Sequence, residues 1–191
     1  YITINNYAVT QPILARNKIA DQLEDLTLKS VELAKDAVKE SGERTLIAGS
    51  LPPLETSYRP DLILPENQML DYYCELVEIL ESEVDIIICE TMSSSSEARC
   101  ALSTIQQSKS QAWVSWTLHG NRPNILPSGE HVKVAFLDLQ ELEADAYLVN
   151  CCGANISGQA IKTLSELTDK PIGGYANGEN IVTFSEDLNL S

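Results

Sequence analysis

Two residues combine a reactive side chain with a place where a fold could use it. Glu90 directly follows the apolar run Val84-Asp85-Ile86-Ile87-Ile88-Cys89, and Cys151 closes the run at 146–151. A carboxylate at the end of a buried strand can hold an ammonium group or serve as a general base. A thiolate can be a nucleophile or a soft metal ligand. A buried cysteine is also often only a small apolar side chain, so residue type alone leaves these roles open. Other apolar runs end in polar residues as well: Asn5, Asn6 and Tyr7, then Gly49 and Ser50, Thr91 beside Glu90, Ser115 and Thr117, Asn150, and Tyr175 and Asn177.

These residues need strands to present them together. Apolar runs occur at 1–8, 45–48, 84–89, 112–118, 146–151 and 171–175. The third is nearly continuous, as a strand buried on both faces requires. Between the runs, apolar residues return at three and four. Leu23, Leu26, Val31, Ala34 and Ala37 line one helix, and Met69, Tyr73, Leu76, Val77 and Leu80 line another, with Pro65 suited to its first turn. Ser94 and Glu97 have the spacing of a capping box before Ala98, Ala101, Leu102 and Ile105. Val132, Phe136 and Leu139 mark a further helix, and Ala160, Ile161, Leu164 and Leu167 the last. Repeated strand–helix alternation predicts a parallel α/β sheet forming one domain over 1–191. The carboxyl ends of such strands converge on one face, where ligands bind. Glu90 and Cys151 are therefore expected in one mouth. Cys152 and Cys89 are expected to point away from it, and Cys74 and Cys100 to pack on helices.

Composition narrows the partners. The 191 residues carry 13 Lys and Arg against 28 Asp and Glu, a formal charge of −15. That balance excludes a basic face for nucleic acid or anionic membranes. No run of about 18 apolar residues suggests a membrane span. The opening Tyr1-Ile2-Thr3-Ile4 has no basic stretch or cleavage pattern of a signal peptide. Five Cys without regular spacing fit a reducing, cytoplasmic setting better than a disulfide framework. No glycine-rich phosphate loop follows any strand, and no complete local metal motif is present.

Several strings, in order, resemble the homocysteine S-methyltransferases: TINNYAV (3–9), AGSLPPLETSYRPD (48–61), DIIICETM (85–92) followed by EA (97–98), LPSGE (126–130) and YLVNCCG (147–153). The resemblance implies a (β/α)8 TIM barrel, present here as about six of the eight strand–helix units. It also implies a zinc cofactor bound by three Cys, and methyl transfer from an activated donor to the thiol of homocysteine, giving methionine. Carried over residue by residue, Cys151 matches the first zinc ligand and Glu90 the acid that holds the homocysteine amino group. Tyr7 matches an aromatic position beside the metal, and Asn150 the Asn before the ligand Cys. Asn5 lies in Ile4-Asn5-Asn6-Tyr7, where the family has Thr-Asn-Thr-Tyr, and is expected to face the same mouth. By the same resemblance, the family's first strand precedes residue 1 and its Gly-Gly-Cys-Cys pair follows residue 191. One of three zinc ligands is thus expected within the chain. Two other readings stay open: a metal-independent barrel enzyme with Glu90 as general base, and a non-catalytic homologue or fragment.

Overall fold

The structure, a computed structural model, describes residues 1–178. Six strands lie side by side in chain order, every neighbouring pair parallel. They are β1 (Ile2–Thr3), β2 (Ile47–Leu51), β3 (Ile86–Met92), β4 (Gln111–Trp116), β5 (Ala146–Gly153) and β6 (Ile172–Asn177). The sheet curls into a half-barrel with the helices outside. The helices are α1 (Gln11–Arg16), α2 (Leu23–Ser41), α3 (Glu66–Leu80), α4 (Ser95–Ile105), α5 (Val132–Asp138) and α6 (Ala154–Ser165).

Alternation along the strands divides the core in two. Ile47, Leu51, Ile87, Cys89, Val114 and Val149 face the helices and join the large core. Ala48, Ile86, Ile88 and Leu148 form a smaller apolar cluster on the concave side, with Trp113 against it. Trp113 also meets the ring of Tyr1 edge-on at 4.9 Å. Inward side chains of this kind fill the floor of a parallel barrel.

The helical stripes behave as their spacing dictates. Met69, Tyr73, Leu76, Val77 and Leu80 are all buried on α3, and Ala98, Ala101, Leu102 and Ile105 on α4. On α2 the stripe drifts, so that Ala37 is exposed and Val38 packs in its place. Gly42 ends α2 with φ 69°, a left-handed cap that a Cβ would strain. Gly49 allows β2 and α3 to approach closely: a Cβ there would sit 3.0 Å from Leu80 Cδ1.

Some local expectations are corrected. The first strand is not 1–8 but two residues, because the chain turns at Asn6, whose carbonyl accepts Val9 N at 2.8 Å. The short α1 shows no periodicity in sequence, being only six residues long. Pro65 is the N-cap of α3 rather than part of its first turn, its carbonyl accepting Gln68 N and Met69 N. Ser94 Oγ does accept Glu97 N at 3.1 Å, but the reciprocal bond shifts by one residue: Glu97 Oε2 accepts Ser93 N at 2.9 Å and Ser93 Oγ at 3.1 Å. Burial pushes the Glu97 carboxyl upward, against the opposing pull of the Ser93 bonds. Cys74 is exposed rather than packed, while Cys100 is buried.

Two carboxylates fasten the amino ends of the strands. Asp85 Oδ2 accepts Ile47 N at 2.9 Å, and Asp145 Oδ2 accepts Ala112 N at 2.9 Å. Each gives an N–H in the opening residues of the preceding strand, the first of β2 and the second of β4, a carboxylate partner. Asp85→Ala and Asp145→Ala should each lower stability by about 1–2 kcal/mol by leaving a half-buried donor unpaired. Urea denaturation will show this as a lower midpoint with unchanged slope.

Candidate active site at the carboxyl ends of the strands

The polar groups meet at the end of the sheet opposite the aspartate clamps. Ser50, Glu90, Ser115 and Asn150 lie on the concave face of β2 to β5, above the apolar floor. Glu90 is 8% exposed. Its Oε1 accepts a short bond from Ser50 Oγ, and its Oε2 accepts Tyr175 OH at 2.8 Å. A carboxylate taken out of water must recover its hydrogen bonds locally, and two hydroxyls from flanking strands supply them. Burial, the Glu90 charge and the bond to it together push the Tyr175 phenol well above the usual tyrosine range, so it remains a donor.

Cys151 sits beside this carboxylate, half-exposed, with φ 53°. Thr91, next to Glu90, has φ 61°. Both lie in register shifts, between Cys89 and Met92 on β3 and between Asn150 and Gly153 on β5. Left-handed backbone at non-glycine residues costs on the order of 1–3 kcal/mol each, more awkwardly for branched Thr. Asn150, fully buried, spans the two. Its Oδ1 accepts Thr91 N at 3.0 Å and Ser115 Oγ at 2.7 Å, while its Nδ2 donates to Thr91 Oγ1 at 2.8 Å and to Cys151 Sγ at 3.2 Å. Thr91 Oγ1 in turn donates to Cys151 Sγ at 3.7 Å. The Asn150 amide is thus engaged with protein on both of its atoms.

Tyrosines wall the mouth. Tyr7 OH and Ser57 Oγ share a 2.6 Å hydrogen bond. Burial pushes the Tyr7 phenol up to about 12, with the Cys151 and Glu90 charges adding to the shift and bonds to Ser57 and Thr91 opposing it. Tyr58 OH and Thr117 Oγ1 donate to the Cys151 carbonyl, each at 3.3 Å. Burial, followed by the Cys151 charge, raises the Tyr58 phenol strongly. Asn5 is exposed; the amide that joins the cluster is that of Asn6, which accepts Ser50 N at 3.1 Å and donates to Ser50 O at 2.9 Å. Asn6 thereby extends strand pairing beyond the end of β1. Cys152 points away, buried against Ser157 Oγ at 3.1 Å.

The sequence singled out Glu90, Tyr7, Asn150 and Cys151, and the fold brings these four together. It did not single out Ser57 or Tyr58, nor assign roles to Asn6, Ser50, Thr91, Ser115 or Tyr175. The signal for most of them was position at the end of an apolar run, which common polar residues share with ordinary loop starts; Ser57 and Tyr58 stood only within the string at 48–61. The LPSGE string has a visible use: Glu130 accepts Ser95 N at 3.0 Å and the hydroxyls of Ser95 and Ser128, pinning the long loop before α5 to the start of α4.

The family model described as homocysteine S-methyltransferase matches residues 1–189. The chain belongs to the homocysteine S-methyltransferase family. Among solved structures it is similar to the metallated form of the homocysteine methyltransferase MmuM from Escherichia coli, with TM-score 0.83 and 25% identity over 94% of this chain and 67% of that one. The oxidized form of the same enzyme aligns with TM-score 0.79 and 21% identity, over 97% and 78%. No curated protein sequence matches significantly. The family's substrates are homocysteine and a methyl donor. Among the described residues no helix is long and apolar enough to cross a membrane.

A catalytic zinc takes three protein ligands and leaves one position open. Among the described residues no group of three His, Cys, Asp or Glu stands close enough to hold a metal. The mouth offers one thiol, Cys151, and residues 179–191 contain neither Cys nor His. The described residues do not make up a complete metal site.

The raised Tyr7 phenol gives a pH test. Its folded value lies above the unfolded value of 10.0, so its contribution is full below pH 10 and disappears as pH rises towards about 12. Wild-type protein should therefore lose stability more steeply than Tyr7→Phe across that window, as read by denaturant midpoints.

Proposed function

We propose that this mouth binds homocysteine as a methyl acceptor, with Glu90 holding its ammonium group and the thiol lying beside Cys151. The observation that carries the reading is the buried Glu90, fixed by Ser50 and Tyr175 with lone pairs left for a cation. Both oxygens accept hydroxyl protons, an arrangement suited to a fixed anion. The neutral tyrosines Tyr7 and Tyr58 shield the site from water without adding charge, which strengthens the ammonium–carboxylate attraction. Tyr7 stands beside the thiol as part of this wall, and Asn150 acts from beneath it.

In the transfer, the homocysteine thiol gives up its proton to solvent, its sulfur supplies the electron pair for the new S–CH3 bond, and the donor heteroatom leaves with the pair it shared with the methyl group. The chain's contribution is orientation and exclusion of water. Thiol activation by zinc, implied by resemblance, has one ligand here in Cys151. The 191-residue chain, dialysed and measured by elemental analysis, should therefore hold no stoichiometric zinc; one zinc per chain would show the ligand set to be wrong.

Homocysteine titration, followed by calorimetry, tests Glu90. Glu90→Ala should weaken binding roughly 10- to 100-fold, the scale of a lost charged hydrogen bond. The amine-free analogue 4-mercaptobutanoate should bind wild type and variant equally. Unchanged homocysteine affinity in Glu90→Ala would remove this role, and unchanged affinity with a lost turnover rate would point to a general base.

A further inference from the structure

In a regular strand, consecutive side chains point to opposite faces. Glu90 and Thr91 both serve the concave face, as do Asn150 and Cys151, and each pair is adjacent in sequence. The register shifts make this possible. On each strand one residue enters the left-handed region, Thr91 on β3 and Cys151 on β5, and the second side chain of the pair is turned back to the mouth. These strands are not neighbours, since β4 lies between them. The link across is the Asn150 amide, which accepts the Thr91 N–H at the β3 irregularity, donates to the Thr91 hydroxyl and donates to the Cys151 sulfur. Ser115 on β4 donates to the same Asn150 oxygen from below.

We infer that Thr91 and Asn150 are positioning residues: together they latch the two irregular strands so that Cys151 keeps its left-handed backbone and presents its sulfur to the mouth. Without the latch, β5 relaxes toward regular alternation, and Cys151, following inward-facing Asn150, turns toward the helix side. The latch goes beyond the homocysteine reading, since it concerns how the sulfur is aimed whatever it meets. Its test needs no methyl transfer, so either idea can fail without the other.

The probe is iodoacetamide, with modification of each Cys quantified by peptide mass spectrometry on the folded 191-residue chain. Exposed Cys74 is the internal reference, and buried Cys89 reports unfolding. In Thr91→Val and Asn150→Ala, the rate at Cys151 relative to Cys74 should fall about fivefold or more, since alkylation follows access to the thiol. Thr91→Ser, which restores the hydroxyl, should return it to within roughly twofold of wild type. The fall should persist near pH 9, where more of the thiol is ionised in every variant, because the latch sets the direction of the sulfur. Should Asn150→Ala expose Cys89, the Thr91→Val and Thr91→Ser pair decides alone. An unchanged or faster Cys151 in Thr91→Val, a fall confined to the lower pH, or no rescue by Thr91→Ser would overturn the latch.

Discussion

Side-chain alternation along a parallel strand is the constraint on which this site depends. A strand end offers the mouth every second residue, which keeps a carboxylate and a hydroxyl, or an amide and a thiol, from standing together when they are neighbours in sequence. The register shifts in β3 and β5 lift that restriction at Glu90-Thr91 and at Asn150-Cys151. The cost is backbone strain at two non-glycine residues, and the compensation is visible in the hydrogen bonds of Asn150. Strain gathered where function sits, and held there by buried polar bonds, is a recurrent pattern in folded enzymes.

The electrostatics of the mouth follow from the same crowding. Glu90 is the buried anion, and hydroxyl donors rather than cations surround it. A fixed cation would neutralise it, whereas hydroxyls solvate the charge and keep its sign, as the proposed hold on an ammonium group requires. The nearby phenols are pushed upward by burial and by the Glu90 and Cys151 charges, so they stay neutral donors. Under the homocysteine reading proposed above, this arrangement is preorganisation for a positively charged group, which lowers the cost of binding.

Stability and chemistry occupy opposite ends of the sheet. At the amino ends, Asp85 and Asp145 hold strand N–H groups, and the concave floor is filled by Ile86, Ile88, Leu148 and Trp113. At the carboxyl ends, polar side chains replace this filling and long loops gather. Glu130 ties one of those loops to the first turn of α4, where a carboxylate also complements the helix dipole. The loop is held by an anchor outside the mouth, so the mouth's own polar groups are not spent on holding it.

The sequence by itself determined the succession of strands and helices, the apolar stripes of α3 and α4, and the placement of Glu90 and Cys151 at one end, because periodicity and burial are local properties of the chain. The motif strings also carried the family. What only the tertiary structure decided was which neighbours in sequence share a face. Asn6 rather than Asn5 enters the cluster because the chain turns there and its amide replaces the pairing that β1 stops providing. Asn150 became a bridge to Thr91, 59 residues away, because two strand irregularities bring them within 2.8 Å. Tyr58 and Tyr175 reach Cys151 and Glu90 from a loop and a distant strand. No spacing rule encodes such contacts, since they depend on the curl of the sheet and on backbone angles that alternation alone would not choose.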